Sequence, residues 1–280
     1  MKSSLILGLA LLLGALLAVA AVSLSEGLTG DEILKKVDEQ QDVIMGENLI
    51  SIIRFDNVYS DGTRASNLFG ALSKKVEGQA DKSLIYFMEP EDVRGTIFLS
   101  VKPEGEEVRL WLYLPALGQV KELISEEERG GSFAGSTFSY REVGSRKVSD
   151  DYTAELVGEE AITIGDQSYD CYVLELSAKP DAEVDYPTAR SWVGKESWLT
   201  LRAEDYNEAG NLERTMEVLE LGEFEGNLVA NKIVATNVLD NSSTTISFLE
   251  RRRPEEEIPD SVFEPENLPG FDPAEWGFEE

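Results

Sequence analysis

Val108-Arg109-Leu110-Trp111-Leu112-Tyr113-Leu114-Pro115 is the stretch on which the fold turns. Val108, Leu110, Leu112 and Leu114 share one side of an extended chain, Trp111 and Tyr113 take the other, and Pro115 stops the run. Period-two spacing over seven residues is a strand signal. A strand with one wet face alternates apolar with polar residues, whereas this one is apolar on both faces. Residues 96–101 repeat the pattern, with Ile97, Leu99 and Val101 on one side and Phe98 on the other. Two apolar faces need two covers. On pattern alone, either the sheet folds onto a second sheet as a sandwich or it curls around an apolar pocket.

Working outward, residues 49–55, 83–88, 120–124, 152–157, 161–164, 169–177, 196–203, 214–221, 228–238 and 244–250 also read as strands, punctuated by Gly, Pro, Asn and Asp turns. Ser60-Asp61-Gly62-Thr63 is a hairpin turn, and 207–211 joins another pair. Crossover helices are missing, which excludes a parallel α/β sheet. Residues 29–45 form the one clear helix: Thr29 or Asp31 caps it, Ile33, Leu34 and Val37 begin an apolar stripe, and Gly46 ends it. The expected fold is therefore mainly β with a few helices: a large antiparallel sheet or open barrel.

A chain of 280 residues with 42% hydrophobic residues can bury a real core or enclose a cavity. Its 54 acidic and 25 basic residues leave a net charge of −29, which opposes binding to nucleic acid and to anionic membrane surfaces. With no histidine, His-based nucleophile triads and His metal sites are excluded. The single cysteine, Cys171, lies in a strand pattern and reads as a buried structural thiol. Met1-Lys2, the uncharged run 5–20 and Ala18-Val19-Ala20 form an export signal with a small-x-small cleavage site, so residues 1–20 are expected to be removed. No cysteine follows the run for lipid anchoring. Residues 21–280 are expected to form one domain, with a Pro- and acid-rich tail from about residue 251 pinned to the surface by Phe263 and Leu268.

The segment 129–140, Arg-Gly-Gly-Ser-Phe-Ala-Gly-Ser-Thr-Phe-Ser-Tyr, interleaves aromatics with three glycines. It lacks the Gly-Lys-Ser/Thr of a phosphate loop and the Gly-x-Ser-x-Gly of a serine elbow. It reads either as a turn that tucks aromatics into the core or as a lid over a cavity mouth. Three segments together resemble the outer membrane lipoprotein-sorting protein family, a LolA-like group. These are Pro90-Glu91-Asp92-Val93-Arg94-Gly95-Thr96-Ile97-Phe98-Leu99, then Leu110-Trp111-Leu112-Tyr113-Leu114-Pro115-Ala116-Leu117-Gly118, then Arg129 to Tyr140, in the family's order. Thr137 departs from the Asp more usual at that place.

The resemblance implies an incomplete (half) β-barrel around an apolar cavity, with no enzymatic activity and no cofactor. It also implies a periplasmic carrier of the acyl chains of a lipoprotein or lipid, with an inner-membrane lipid exporter and an outer-membrane acceptor as candidate partners. The expected cavity wall is Phe87, Ile97, Leu99, Val101, Leu110, Trp111, Leu112 and Leu114; the expected mouth is Gly131, Phe133, Gly135, Phe138 and Tyr140. The alternatives are a lipid-sensing or exporter-associated binding module of the same shape, and an extracellular acidic glycoside hydrolase. The acidic runs 126–128, 150–151 and 255–257 read as solvated surface, and no spacing selects a catalytic carboxylate pair. The run 181–185 carries three acids but lacks the glycine and glutamate of a calcium-binding loop.

Overall fold

The computed structural model describes residues 27–76, 78–144 and 147–279; the expected leader, 1–20, lies outside them. The helix appears as α1 (Gly30–Met45). Its first turn is a capping box: the Thr29 hydroxyl accepts from the Glu32 backbone N–H at 3.2 Å, and the Glu32 carboxylate accepts from the Thr29 N–H at 2.8 Å. At the other end, Arg253 donates to the carbonyls of Ile44 (3.0 Å) and Met45, satisfying acceptors the helix leaves open. Gly46 turns away at φ 57°, packed so closely on the Arg253 guanidinium that a Cβ would meet it at 2.8 Å.

Thirteen strands follow. The first group is β1 (Asn48–Val58), β2 (Arg64–Lys74), β3 (Asp81–Glu89), β4 (Ile97–Lys102), β5 (Arg109–Leu114) and β6 (Gln119–Glu122). The second is β7 (Tyr152–Ile164), β8 (Gln167–Ala178), β9 (Thr188–Gly194), β10 (Thr200–Tyr206), β11 (Leu212–Phe224), β12 (Asn227–Asn237) and β13 (Ser242–Arg252). They make one antiparallel sheet in the order β6-β5-β4-β3-β2-β1-β13-β12-β11-β10-β9-β8-β7. Each group is a meander, and the β1–β13 pairing welds the two together from Ile50↔Arg252 to Val58↔Ser243. The edges β6 and β7 do not pair, so the barrel stays open. The sheet nevertheless curls, because β7 comes back against β11 across three intervening strands.

Two strands lack a sequence expectation, β2 and β9. β2 is broken in the middle by Gly70, whose missing side chain admits the Phe278 ring: a Cβ there would lie 2.3 Å from it. The two segments expected at 152–157 and 161–164 are one strand, β7, with a register shift between Leu156 and Gly158.

No second sheet covers β1–β5; the chain's own irregular segments do. On one face Ile50, Leu72, Leu84, Ile97, Leu99 and Trp111 pack under the C-terminal tail through Ile258, Phe263, Leu268 and Phe278. The tail is also tied by charge: Lys74, 5% exposed, reaches Glu257 at 2.7 Å and Asp260 at 2.9 Å. On the other face Phe55, Phe69, Phe87, Phe98 and Leu110 pack under Phe133. This inner face also carries α1, which lays Ile33 and Leu34 on Leu174, Leu176, Ala189 and Val193. Cys171, fully buried with Val173, Trp192, Leu201 and Val218, has its thiol pushed up to about 11 by burial and stays protonated at neutral pH.

Candidate functional site

Between the two arms of the sheet lies a cavity of about 460 Å³. That is in the lower half of the roughly 300–1,000 Å³ range of small-molecule sites. α1 forms one wall through Leu34, Val37, Asp38, Gln41, Asp42 and Met45. Those residues share a helix face, and the rise from Leu34 to Met45 makes the wall roughly 16 Å long. Opposite stand Leu176 of β8, Ala189 and Val193 of β9, Ala203 of β10 and Met216 of β11, with Val143 and Val148 closing from the segment between β6 and β7.

The polarity of this cavity changes along α1. Near Leu34 the lining is aliphatic: Val37, Leu176, Ala189 and Val193. Near Met45 it is charged. Lys75 sits 2.9 Å from Asp42 and 2.6 Å from Asp81, and Lys147 lies 3.4 Å from the second oxygen of Asp42. Asp38, 4% exposed, is committed to structure, since its two oxygens accept from the N–H groups of Val148 and Ser149 at 3.0 Å each. That pair of bonds anchors the short helix Val148–Asp151 to α1.

A buried ionic cluster forms the third side. Arg214 of β11, 6% exposed, donates to Asp205 at 2.8 Å, to the Thr137 carbonyl at 3.0 Å and to both oxygens of Glu142. Its guanidinium stacks on the rings of Tyr186 (4.6 Å) and Phe138 (4.9 Å). Beside it, Arg141 reaches Asp185 at 2.8 Å, and the Ser139 hydroxyl donates to the same carboxylate at 2.5 Å. Asp185 is the last acid of the 181–185 run, and its role is this clamp. Burial pushes the carboxyls of Asp185 and Asp205 above the usual range, against the pull of Arg141 and Arg214. Burial would lower Arg214, but Glu142 and Asp205 outweigh it and hold the guanidinium charged.

The glycine–aromatic segment is a strut rather than an exposed flap. Phe133 is 0% exposed, with its ring centroid 5.4–5.9 Å from those of Phe55, Phe69, Phe87, Phe98 and Tyr140. Ala134 (φ 49°) and Gly135 (φ 71°) turn the chain sharply behind it, and the Ala134 carbonyl accepts from Asn57 and Asn67. The Thr137 N–H donates to the Thr244 hydroxyl at 2.9 Å. Ser139 and Glu142 form the capping box of the short helix Tyr140–Val143. One end of the segment thus fills the β1–β5 arm, while the other is held by Arg214 from the β9–β11 arm.

Of the residues expected at a cavity, Phe138 lines this one. Ile97, Leu99, Val101 and Trp111 pack beneath the tail, and Phe87, Leu110 and Leu112 pack beneath Phe133 and Tyr140. Leu114 is half-buried at the end of β5, and Gly131 holds the turn through its carbonyl, which accepts from the Tyr140 N–H at 3.0 Å. The expected wall therefore divides between two faces, as strand alternation requires of Leu99 and Leu110 on paired strands. The lining supplied by α1, β8, β9 and β11 had no sequence expectation; the inward charges Asp205 and Arg214, set among apolar strand residues, were the available signal.

Among the described residues no helix is long and apolar enough to cross a membrane. Compared with known proteins, the chain finds its likeness in structure: no functionally curated protein matches it. A crystal structure of a DUF1329 family protein from Desulfovibrio piger superposes with a TM-score of 0.76 at 25% identity, covering 85% of this chain and 97% of that one. A domain from Vibrio parahaemolyticus named for outer membrane lipoprotein sorting gives 0.75 at 26%, covering 86% and 98%. A LolA superfamily protein from Nitrosomonas europaea gives 0.65 at 21%, covering 85% and 98%, and shares the fold. A family model described as uncharacterized protein matches residues 79–269, which takes in β3 through β13, the strut and the tail as far as Pro269. The chain belongs to the family that this model describes, and the solved structures it resembles are a DUF1329 family protein and LolA-like, outer membrane lipoprotein-sorting proteins.

Proposed function

We propose that this protein is an exported, periplasmic carrier that holds an acyl chain of a lipid or lipoprotein in the cavity beside α1 and delivers it to the outer membrane. The observation that carries this reading is the elongated apolar end of that cavity, bounded by Leu34, Val37, Leu176, Ala189 and Val193 on a LolA-like sheet. Each buried CH₂ contributes about 0.8 kcal/mol, so a chain of a dozen carbons gains roughly 10 kcal/mol before the entropy of binding is subtracted. No proton transfer is needed, which suits a protein without histidine. The carboxylates of buried Asp205 and half-buried Asp185 and Glu142 are each bound to an arginine, an arrangement that serves positioning better than the acid–base pair of a glycosidase. LolA-like neighbours support a carrier without catalysis. Phe87, Leu110 and Leu112 lie one layer behind Phe133 and would lengthen the groove where that ring gives way. An inner-membrane exporter and an outer-membrane acceptor are the partners this role requires.

Ala203→Phe places a ring in the cavity at a position that itself makes no bond in the ionic cluster. The expected result is at least a tenfold loss of affinity for a fluorescent fatty acid in a folded variant, since filling the space removes the contacts a chain would make. Undiminished binding would move the site elsewhere. Transfer of labelled lipid from one vesicle population to another separates a carrier from a sensor, which would bind without accelerating transfer.

A further inference from the structure

The charged end of the cavity already contains an anion. Asp42 projects from α1 with one oxygen 2.9 Å from Lys75 and the other 3.4 Å from Lys147, so a single carboxylate bridges two cations at the mouth. Lys75 is only 23% exposed and has Asp81 as its second partner; Lys147, 39% exposed, has Asp42 as its ion-pair partner among the described residues. Lys102 stands beside this end, paired to Asp150. Cations are scarce in a chain of net charge −29, yet this mouth gathers several of its lysines. One helical turn further in, Asp38 has both oxygens taken by backbone N–H groups, and beyond it Val37 and Leu34 give the helix wall an apolar lining.

We propose that Asp42 holds the place of a ligand headgroup: the cavity takes an anionic single-chain amphiphile, its tail along α1 towards Leu34 and its phosphate or carboxylate replacing Asp42 between Lys75 and Lys147. This rests on the acyl-chain reading and adds the headgroup class and its orientation. A single chain fits a cavity of about 460 Å³ whose helical wall runs from Leu34 to Met45. A group with two or three acceptor oxygens can span both lysines as Asp42 does, and charge-assisted bonds of this kind are stronger than those to a neutral head. Displaced Asp42 turns to solvent from the helix surface.

The test compares dodecyl phosphate, the uncharged glycerol ester of dodecanoic acid and inorganic phosphate, titrated into the full chain. The phosphate amphiphile is expected to bind about tenfold more tightly than the ester. Asp42→Asn is expected to widen that ratio, and Lys75→Gln with Lys147→Gln to bring it to about one. Should the double variant fail to fold, as thermal unfolding would show, Asp42→Asn alone decides. Equal affinity for the two amphiphiles, unmoved by Asp42→Asn, overturns the headgroup proposal and leaves the acyl-chain reading standing. Inorganic phosphate competing as well as the phosphate amphiphile also overturns it, by showing an ion site that needs no tail. Binding of neither amphiphile overturns both readings.

Discussion

Arg214→Met is expected to cost about 3–5 kcal/mol of stability, because it strands Asp205 and Glu142 in an interior that no longer holds a positive charge. At the scale of this chain that corresponds to a fall in melting temperature of roughly 10 °C. The size follows from the multiplicity of the contacts. One guanidinium serves Asp205, Glu142 and the Thr137 carbonyl and stacks on two rings. Arg214→Lys keeps the charge but loses the planar fork, so it should recover only part of the loss. pH gives an independent reading. Burial raises Asp205 and Asp185 in the folded protein above their unfolded values. A raised group adds stability fully below its unfolded value and loses it as pH rises through the folded one. Mild acid is therefore expected to narrow the gap between Arg214→Met and wild type, since protonating the stranded carboxylate relieves it. A melting temperature within about 2 °C of wild type at neutral pH would show that the cluster holds nothing together.

Phe133→Ala is expected to cost a further 3–5 kcal/mol in its own right, by opening a void among Phe55, Phe69, Phe87, Phe98 and Tyr140. This ring is the centre of the inner cover of the β1–β5 arm, in contact with five other rings, so its loss leaves a space that rigid neighbours fill poorly. Denaturant unfolding measures the cost, and a loss below about 1 kcal/mol would mean that Phe133 is an easily lifted flap. The same variant should take up small apolar probes such as benzene in the space left behind, as dry engineered cavities do.

Much of the architecture was legible because period two survives in most strands. The run 108–114 announced its two apolar faces, and α1 announced its stop at Gly46 and a cap at Thr29 or Asp31, of which the structure uses Thr29. What could not be read was the nature of the covers. Strand alternation says that Leu99 and Leu110 are buried on opposite faces, but not that Phe263 and Leu268 cover one and Phe133 the other. The contacts of the tail span more than a hundred positions and those of Phe133 span tens, and neither leaves a local period. For the same reason the expected wall gathered residues from both faces of β4 and β5, whereas the cavity takes its lining from α1 and from strands β8 to β11 of the other arm. β2 escaped notice because Gly70, needed to admit Phe278, dilutes its β pattern. The segment 129–140 was recognisable as unusual, yet its dual task needed the positions of Arg214 and Asp205, which no spacing rule connects to Ser139 or Glu142.

Photolabelling with a fatty acid carrying a diazirine at its tail is the most direct test of whether a chain occupies the space beside α1. After irradiation and proteolysis, mass spectrometry should find adducts between Leu34 and Met45 and on the strands that face them, at Leu176, Val193 or Met216, with labelling suppressed by Ala203→Phe. Adducts confined to the outer surface, or labelling no stronger than that of the unfolded chain, would contradict a chain-binding cavity.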